Sequence, residues 1–223
     1  FAPAATANQL ASFFIRQEVS PEDPDYLNGA LKGPNQWPDD PKFREVVSQY
    51  DSAVRALGHR LLPAFALAVG ETAGFFQTYF ENATTALRLI HYPSVEFLHS
   101  GDALGIQPHT DYGFITILAQ DAVFGLEIGL PDGGWVPVPY VPGALIINIG
   151  DALARWTNDV FNSTPHRVIS PRFGIGRYTV AMFFDPNMDT SIRCLRKFID
   201  TDHPAQYPAI QYGNYITERL NKN

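Results

Sequence analysis

From about residue 85 the chain breaks into short β-rich runs: TALRLIHY, FITILAQ, LEIGL, WVPVPY, ALIINIG, HRVIS and RYTVAMFF. Turn signals such as PDGG and VPG separate them. Strands this short cannot bury their apolar faces alone, and several at this spacing predict a sandwich or a barrel. The segment before them obeys a different period. Phe43, Val46, Val47, Tyr50, Val54, Leu57 and Leu61 recur at helical spacing and predict one long amphipathic helix, with a kink or restart at Pro63. FFQTYF reads as a short helix that buries its aromatics, and the tail PAIQYGNYITERLNKN as a last surface helix. The first forty residues, rich in Pro, Asp and Gly, read as irregular surface chain. The expectation is an α+β chain, mainly β. A helical and irregular region over 1–84 packs on a β-barrel or jelly-roll core over 85–223.

Composition narrows the function. A chain of 223 residues, 45% of them hydrophobic, can bury one sizeable core. With net charge −7 and no basic stripe, nucleic acid is not an expected partner. No apolar run is long enough to span a bilayer, and FAPAATANQLASFF lacks the pattern of a secretion signal. The single cysteine, Cys194, forms no internal disulfide and reads as a small buried apolar residue; the expected setting is cytoplasmic. The glycosylation-like triplets at Asn82 and Asn162 read as chance matches in such a chain.

The chemistry starts at PHTDYGFITIL. If this stretch is extended, His109 and Asp111 share one strand face. Two polar groups pointing into a barrel are costly unless something satisfies them, and a metal ion does so. A third ligand stands 57 residues later as His166, in NSTPHRVIS. The intervening LIINIGDALARWTND reads as a strand, a tight turn and another strand. Two histidines and a carboxylate form the facial triad that binds non-haem Fe(II) and leaves three positions open. His59, His91, His99 and His203 lack a carboxylate two residues away in a strand and read as satisfied or solvated.

Eleven residues past His166, RYTVAMFF places Arg177 and Thr179 on one face of a strand. A guanidinium with a hydroxyl beside it suits a carboxylate, and Tyr92 offers a phenol to the same group. The other reading is a surface ion pair for Arg177. A keto acid would chelate two iron positions, with its far carboxylate on Arg177 and Thr179, and O2 would take the third.

With these parts in place, the chain resembles the isopenicillin N synthase-like 2-oxoglutarate- and Fe(II)-dependent oxygenases. The segments that carry the resemblance are GPNQWP, LRLIHYP, HTDYGFITILAQD, GLEI, WVPVPYVPGALIINIGDALARWTND, STPHRV, RYTVAMFFDPN and YGNYITERL, over roughly residues 30 to 220. The resemblance implies a double-stranded β-helix jelly roll flanked by helices. It implies His109, Asp111 and His166 as iron ligands, and Arg177, Thr179 and Tyr92 as the 2-oxoglutarate site. It carries NIGD over as architecture rather than chemistry. The implied activity is oxidation of a small organic substrate, by hydroxylation, desaturation or cyclisation, with release of succinate and CO2. Ascorbate is implied as an auxiliary reductant, and a monomer as the state.

The chain departs from the family pattern in three ways. Thr179 stands where the family has Ser. Ile90 stands where many members have Asn, as in the oxidase that closes penicillin rings without 2-oxoglutarate; such an oxidase is the alternative reading. About eighty further residues precede this point in most members. For the substrate, Phe183, Arg88, Phe97 and Phe114 are the pocket candidates. Phe183 either stacks on a ring or packs in the core, and Arg88 either meets an acidic substrate or serves the surface. The early loop QEVSPEDPDYLNG is a candidate lid.

Overall fold

The helical period before residue 69 forms one helix. A computed structural model describes residues 8, 10–27, 31, 33–94, 104–172 and 174–222. Its elements in chain order are strand β1 (Ala11–Arg16), helices α1 (Pro24–Leu27) and α2 (Pro41–Ala68), a 3-10 turn (Gln77–Phe80), and strands β2 (Thr84–Tyr92), β3 (Leu104–His109), β4 (Ile115–Gln120), β5 (Leu126–Gly129), β6 (Trp135–Pro137) and β7 (Ile146–Ile149). Helix α3 (Asp151–Trp156), strands β8 (His166–Ile169), β9 (Arg177–Asp185) and β10 (Ser191–Ile192), a second 3-10 turn (Arg196–Phe198), β11 (Ile210–Gln211) and helix α4 (Tyr212–Asn221) complete the chain.

Two antiparallel sheets face each other, in the orders β1-β2-β9-β4-β7 and β3-β8-β5-β6. Neither follows chain order, and together they make the jelly roll.

Alternation along β9 sets what each face of the large sheet does. Met182 and Phe184 turn outward into the apolar core shared with α2, while Arg177, Thr179, Ala181 and Phe183 turn inward and line a cavity between the sheets. The pairing registers give the inner face its rows. Asn148, Thr116, Phe183 and Ala86 lie side by side across β7, β4, β9 and β2. The next row is Ile146, Leu118, Ala181, Arg88 and Phe14, reaching β1; after it come Gln120, Thr179 and Ile90, and then the pair Arg177 and Tyr92.

Helix α2 begins at Pro41, and Asp40 caps it by accepting hydrogen bonds from the backbone N–H of Lys42 and Phe43, at 3.0 and 3.1 Å. Val47, Val54, Gly58, Leu62 and Ala66 form its buried face. At Gly58 the helix approaches the sheet so closely that an added Cβ would lie 2.6 Å from the Phe184 ring. The expected restart at Pro63 does not occur: the helix continues to Ala68. Burial of Leu62 and Ala66 on either side of Pro63 offsets the hydrogen bond its ring removes.

The structure corrects three further expectations. ASFFIR, read as irregular chain, is β1 and pairs along the whole of its length with β2. Its apolar run adds an edge strand to β2, and tertiary pairing outweighs the Pro- and Gly-rich surroundings. After NIG the chain turns into α3 and not a second strand. Ala152, Leu153 and Trp156 are buried at helical spacing, and Asp151 favours the positive end of the helix. Gly150, at the cap, lies so close to the Gly113 carbonyl that a Cβ would collide with it. Finally, LGIQPH forms β3, which has no β-rich signature, and Asp111 lies beyond its end in a bend. The tail helix is present as α4, though it is anchored by the fully buried Tyr212.

Candidate metal and co-substrate site

His109 is the last residue of β3, and its partner across the ladder is His166, the first residue of β8. The two rings therefore sit side by side, with centroids 4.3 Å apart. The bend after His109 returns Asp111 to them: its Oδ1 lies 3.9 Å from His109 Nε2 and 3.6 Å from His166 Nε2. One donor atom from each of the three falls within 4.8 Å of the others, a cluster that can hold a metal ion.

Each ligand is aimed by its surroundings. His109 Nδ1 faces the Gln107 carbonyl at 2.8 Å, and His166 Nδ1 faces the Thr164 carbonyl at 3.1 Å. Donating Nδ1–H to a carbonyl fixes the tautomer and leaves each Nε2 lone pair directed at the centre. Burial, and next the neighbouring His166, hold His109 below its ordinary pKa, which favours the neutral form that binds metals. Asp111 uses its other oxygen, Oδ2, to accept from Thr116 Oγ1 at 2.6 Å and Asn148 Nδ2 at 2.8 Å, so Oδ1 is left for a cation.

The bend itself is tied down from two sides. The Asp111 carbonyl accepts from Asp151 N–H at 2.7 Å and the Gly113 carbonyl from Ala152 N–H at 2.9 Å, which attaches it to the start of α3. The buried Asp185 accepts the Phe114 N–H at 2.7 Å.

At the other end of the cavity Arg177 is fully buried and pairs with no acid among the described residues, which removes the surface-pair reading. It donates from Nε to the Val123 carbonyl at 3.1 Å and from Nη2 to Gln120 Oε1 at 2.9 Å. Its Nη1 makes no hydrogen bond, and neither does the buried Oγ1 of Thr179. Tyr92 completes this corner: the guanidinium lies 5.2 Å from its ring centroid. Burial raises the Tyr92 phenol above its ordinary pKa, against the pull of Thr179 and Arg177. Two buried polar groups left unsatisfied on one wall are costly unless a ligand completes them. A carboxylate is the group whose oxygens suit both.

The remaining lining is largely apolar, with Ile90, Ile106, Leu118, Leu126, Ile128, Val138, Ile146 and Val168. The space, its open mouth included, is about 710 Å³. Of the substrate candidates, Arg88 and Phe183 line it. Phe114 does not. It is wholly buried in the outer core, with its ring 4.9 to 5.9 Å from those of Phe65, Phe76, Phe80 and Trp156. The bend after Asp111 turns its side chain away from the cavity. Phe97 lies outside the described residues. Residues 17–27 of the early loop do not line the cavity either; Glu18 instead accepts from Trp37 Nε1 at 3.1 Å and Asn35 Nδ2 at 2.7 Å.

Sequence reading misses the groups that hold the ligands. NIGD reads as architecture, yet Asn148 bonds Asp111 directly. The signal is there: Thr116 and Asn148 are polar residues inside the apolar runs FITIL and IINI. Gln120, at the end of FITILAQ, has no such mark.

Comparison with known proteins agrees with this geometry. Residues 83–186 match the family model of the 2OG-Fe(II) oxygenase superfamily. The chain is 38% identical over 220 residues to the 2-oxoglutarate-Fe(II) type oxidoreductase hxnY of Emericella nidulans, covering 95% of this chain and 62% of that protein. It superposes on the crystal structure of a full-length Neurospora crassa protein in complex with alpha-KG with a TM-score of 0.85 and 30% identity, covering 97% of this chain and 67% of that one. A putative 2OG-Fe(II) oxygenase family protein from Caulobacter crescentus gives a TM-score of 0.86 at 29% identity, covering all of this chain (100%) and 73% of that one. The chain belongs to the 2-oxoglutarate and Fe(II) oxygenase superfamily. It spans somewhat less than two thirds of the length of hxnY.

Proposed function

We propose that the chain carries the catalytic unit of a 2-oxoglutarate- and Fe(II)-dependent dioxygenase acting on a small organic molecule. In this reading His109, Asp111 and His166 hold Fe(II), Arg177 and Thr179 grip the distal carboxylate of 2-oxoglutarate, and Tyr92 assists them. The observation that carries it is the pair of unsatisfied groups, Arg177 Nη1 and Thr179 Oγ1, on the same cavity as the histidine–aspartate cluster. A metal-only site would have no use for them. The chemistry that Fe(II), 2-oxoglutarate and O2 supply there when bound is oxidation of a substrate C–H bond, coupled to conversion of the keto acid to succinate and CO2.

The protein's own share is positioning and shielding. Thr116 and Asn148 keep Asp111 turned so that one oxygen faces the metal. Gln120 and the Val123 carbonyl fix the Arg177 fork before the co-substrate arrives. The apolar wall keeps water from the reacting centre. In this reading residues 85–223, which bear all of these side chains, are the catalytic core, and the described parts of 1–84 support it: β1 extends the sheet and α2 packs on its outer face. A monomer in the cytoplasm belongs to the same reading. The buried, unpaired Cys194 is in keeping with a reducing compartment, and no helix among the described residues is long and apolar enough to cross a membrane.

The test is product analysis. Protein supplied with Fe(II), ascorbate, O2 and 2-oxoglutarate should convert 2-oxoglutarate to succinate, slowly without substrate and faster with one. Consumption of O2 with substrate but without succinate would replace this reading with the keto-acid-independent oxidase.

A further inference from the structure

We propose that the substrate is a small organic monocarboxylate, its carboxylate held by Arg88 and its apolar body laid against Phe183, Leu118 and Ile146. The proposal rests on the function above and names the substrate class of the same site.

Arg88 occupies the middle of the inner face. Its row lies between Thr116 and Phe183, next to the Asp111 ligand, and Thr179 and Ile90, at the co-substrate anchor. Arg88 therefore stands beside the stretch that 2-oxoglutarate would span from the metal ligands to Arg177, so a group bound to it is one strand row from the metal ligands. Directly across the ladder is Ala181, whose small side chain leaves space beside the guanidinium. The neighbours on the same face of the strand are Ala86 and Ile90, and Phe14 is opposite on β1. None of them carries a charge or a polar side-chain group. Among the described residues Arg88 has neither an ion pair nor a hydrogen bond, although it is half-buried.

The charge balance of the loaded site points the same way. Fe(II), the Asp111 carboxylate, the Arg177 guanidinium and dianionic 2-oxoglutarate cancel. Arg88 then leaves a single positive charge in a largely apolar cavity, with Asp111 the only carboxylate lining it among the described residues. Leaving such a charge unpaired is costly. A monoanionic substrate cancels it, and a carboxylate matches the guanidinium fork with two parallel hydrogen bonds. A phosphate ester near neutral pH would bring more charge than the site lacks, and a neutral substrate would leave the cation unpaired.

The test uses protein loaded with Ni(II), which does not support turnover, and with saturating 2-oxoglutarate so that Arg177 is occupied. Calorimetric titration compares 3-phenylpropanoate with its neutral amide, 3-phenylpropanamide. The expected result is that the carboxylate binds at least about tenfold more tightly than the amide, as one charge-assisted pair implies. Arg88→Gln abolishes that preference and Arg88→Lys keeps part of it, with urea unfolding used to show that both variants are folded. Equal affinity for the two probes, binding of neither, or a preference that survives Arg88→Gln overturns the proposal. Failure of 2-oxoglutarate itself to bind the metal-loaded protein would instead strike the functional reading, so the two failures are separable.

Discussion

Replacing Asp185 by Asn should remove a pH dependence that the folded chain builds into itself. Asp185 is wholly buried, and that burial raises its carboxyl from 3.8 to about 7. Tyr212 and the Phe114 N–H oppose the rise, while the charge of Asp111 adds to it. The sign follows from proton counts. Between about pH 4 and 7 the unfolded chain has lost this proton and the folded chain still holds it, so stability falls as pH rises through that window. Full stability is present below the unfolded pKa. Each pK unit is about 1.36 kcal/mol, so the loss is about 3 kcal/mol between pH 5 and 8 and about 4 kcal/mol over the whole window. Asparagine retains an oxygen for the Phe114 N–H but does not titrate in this range. The assay is urea unfolding of wild type and Asp185→Asn at pH 5 and pH 8, in chelator so that metal adds no linkage of its own. Subtracting the variant cancels the other titrating groups. The wild type should lose about 3 kcal/mol relative to the variant on going to pH 8. A difference that does not change with pH, or one that moves in favour of the wild type, refutes the reasoning.

Other perturbations separate the scaffold from the site. Phe114→Ala should cost about 3–5 kcal/mol in urea unfolding, as expected for a buried aromatic, while the folded variant keeps its metal affinity; unchanged stability would return Phe114 to the cavity. Gly58→Ala should destabilise by about 1–3 kcal/mol, because the added methyl meets the Phe184 ring; a neutral result in the same assay would contradict the close approach of α2. Thr116→Val combined with Asn148→Ala should weaken metal binding by about 10–100-fold in a direct titration, since both side chains aim Asp111. Gln120→Leu should weaken 2-oxoglutarate by about tenfold or more, the worth of one hydrogen bond to a charged group, with metal affinity unchanged in a matched titration.

What can be read in advance divides along physical lines. Periodicity exposes α2 and the strands carrying Arg177 and His166, because those segments bury one face and alternate. The three metal-site residues are legible because their chemical types are few and their spacing fits a known ligand set. For Asp111 the chemistry is legible and the conformation is not: it reaches the histidines from a bend, held by backbone bonds to α3 that leave no mark in the local sequence. Phe114 follows from the same bend, which reverses the face that strict alternation would assign. β1 looks irregular because an edge strand takes its order from β2, a partner far along the chain. Arg88 and Phe183 are visible as candidates, but only the register of β2 and β9 turns both into the cavity.

Whether one cavity holds Fe(II) and 2-oxoglutarate together is tested most directly by the visible spectrum of the metal-free protein after anaerobic addition of Fe(II) and then 2-oxoglutarate. Chelation of ferrous iron by the keto acid should produce a weak metal-to-ligand charge-transfer band, absent from Arg177→Ala at the same 2-oxoglutarate concentration. Iron binding with no band, or a band undiminished in Arg177→Ala, would contradict the account.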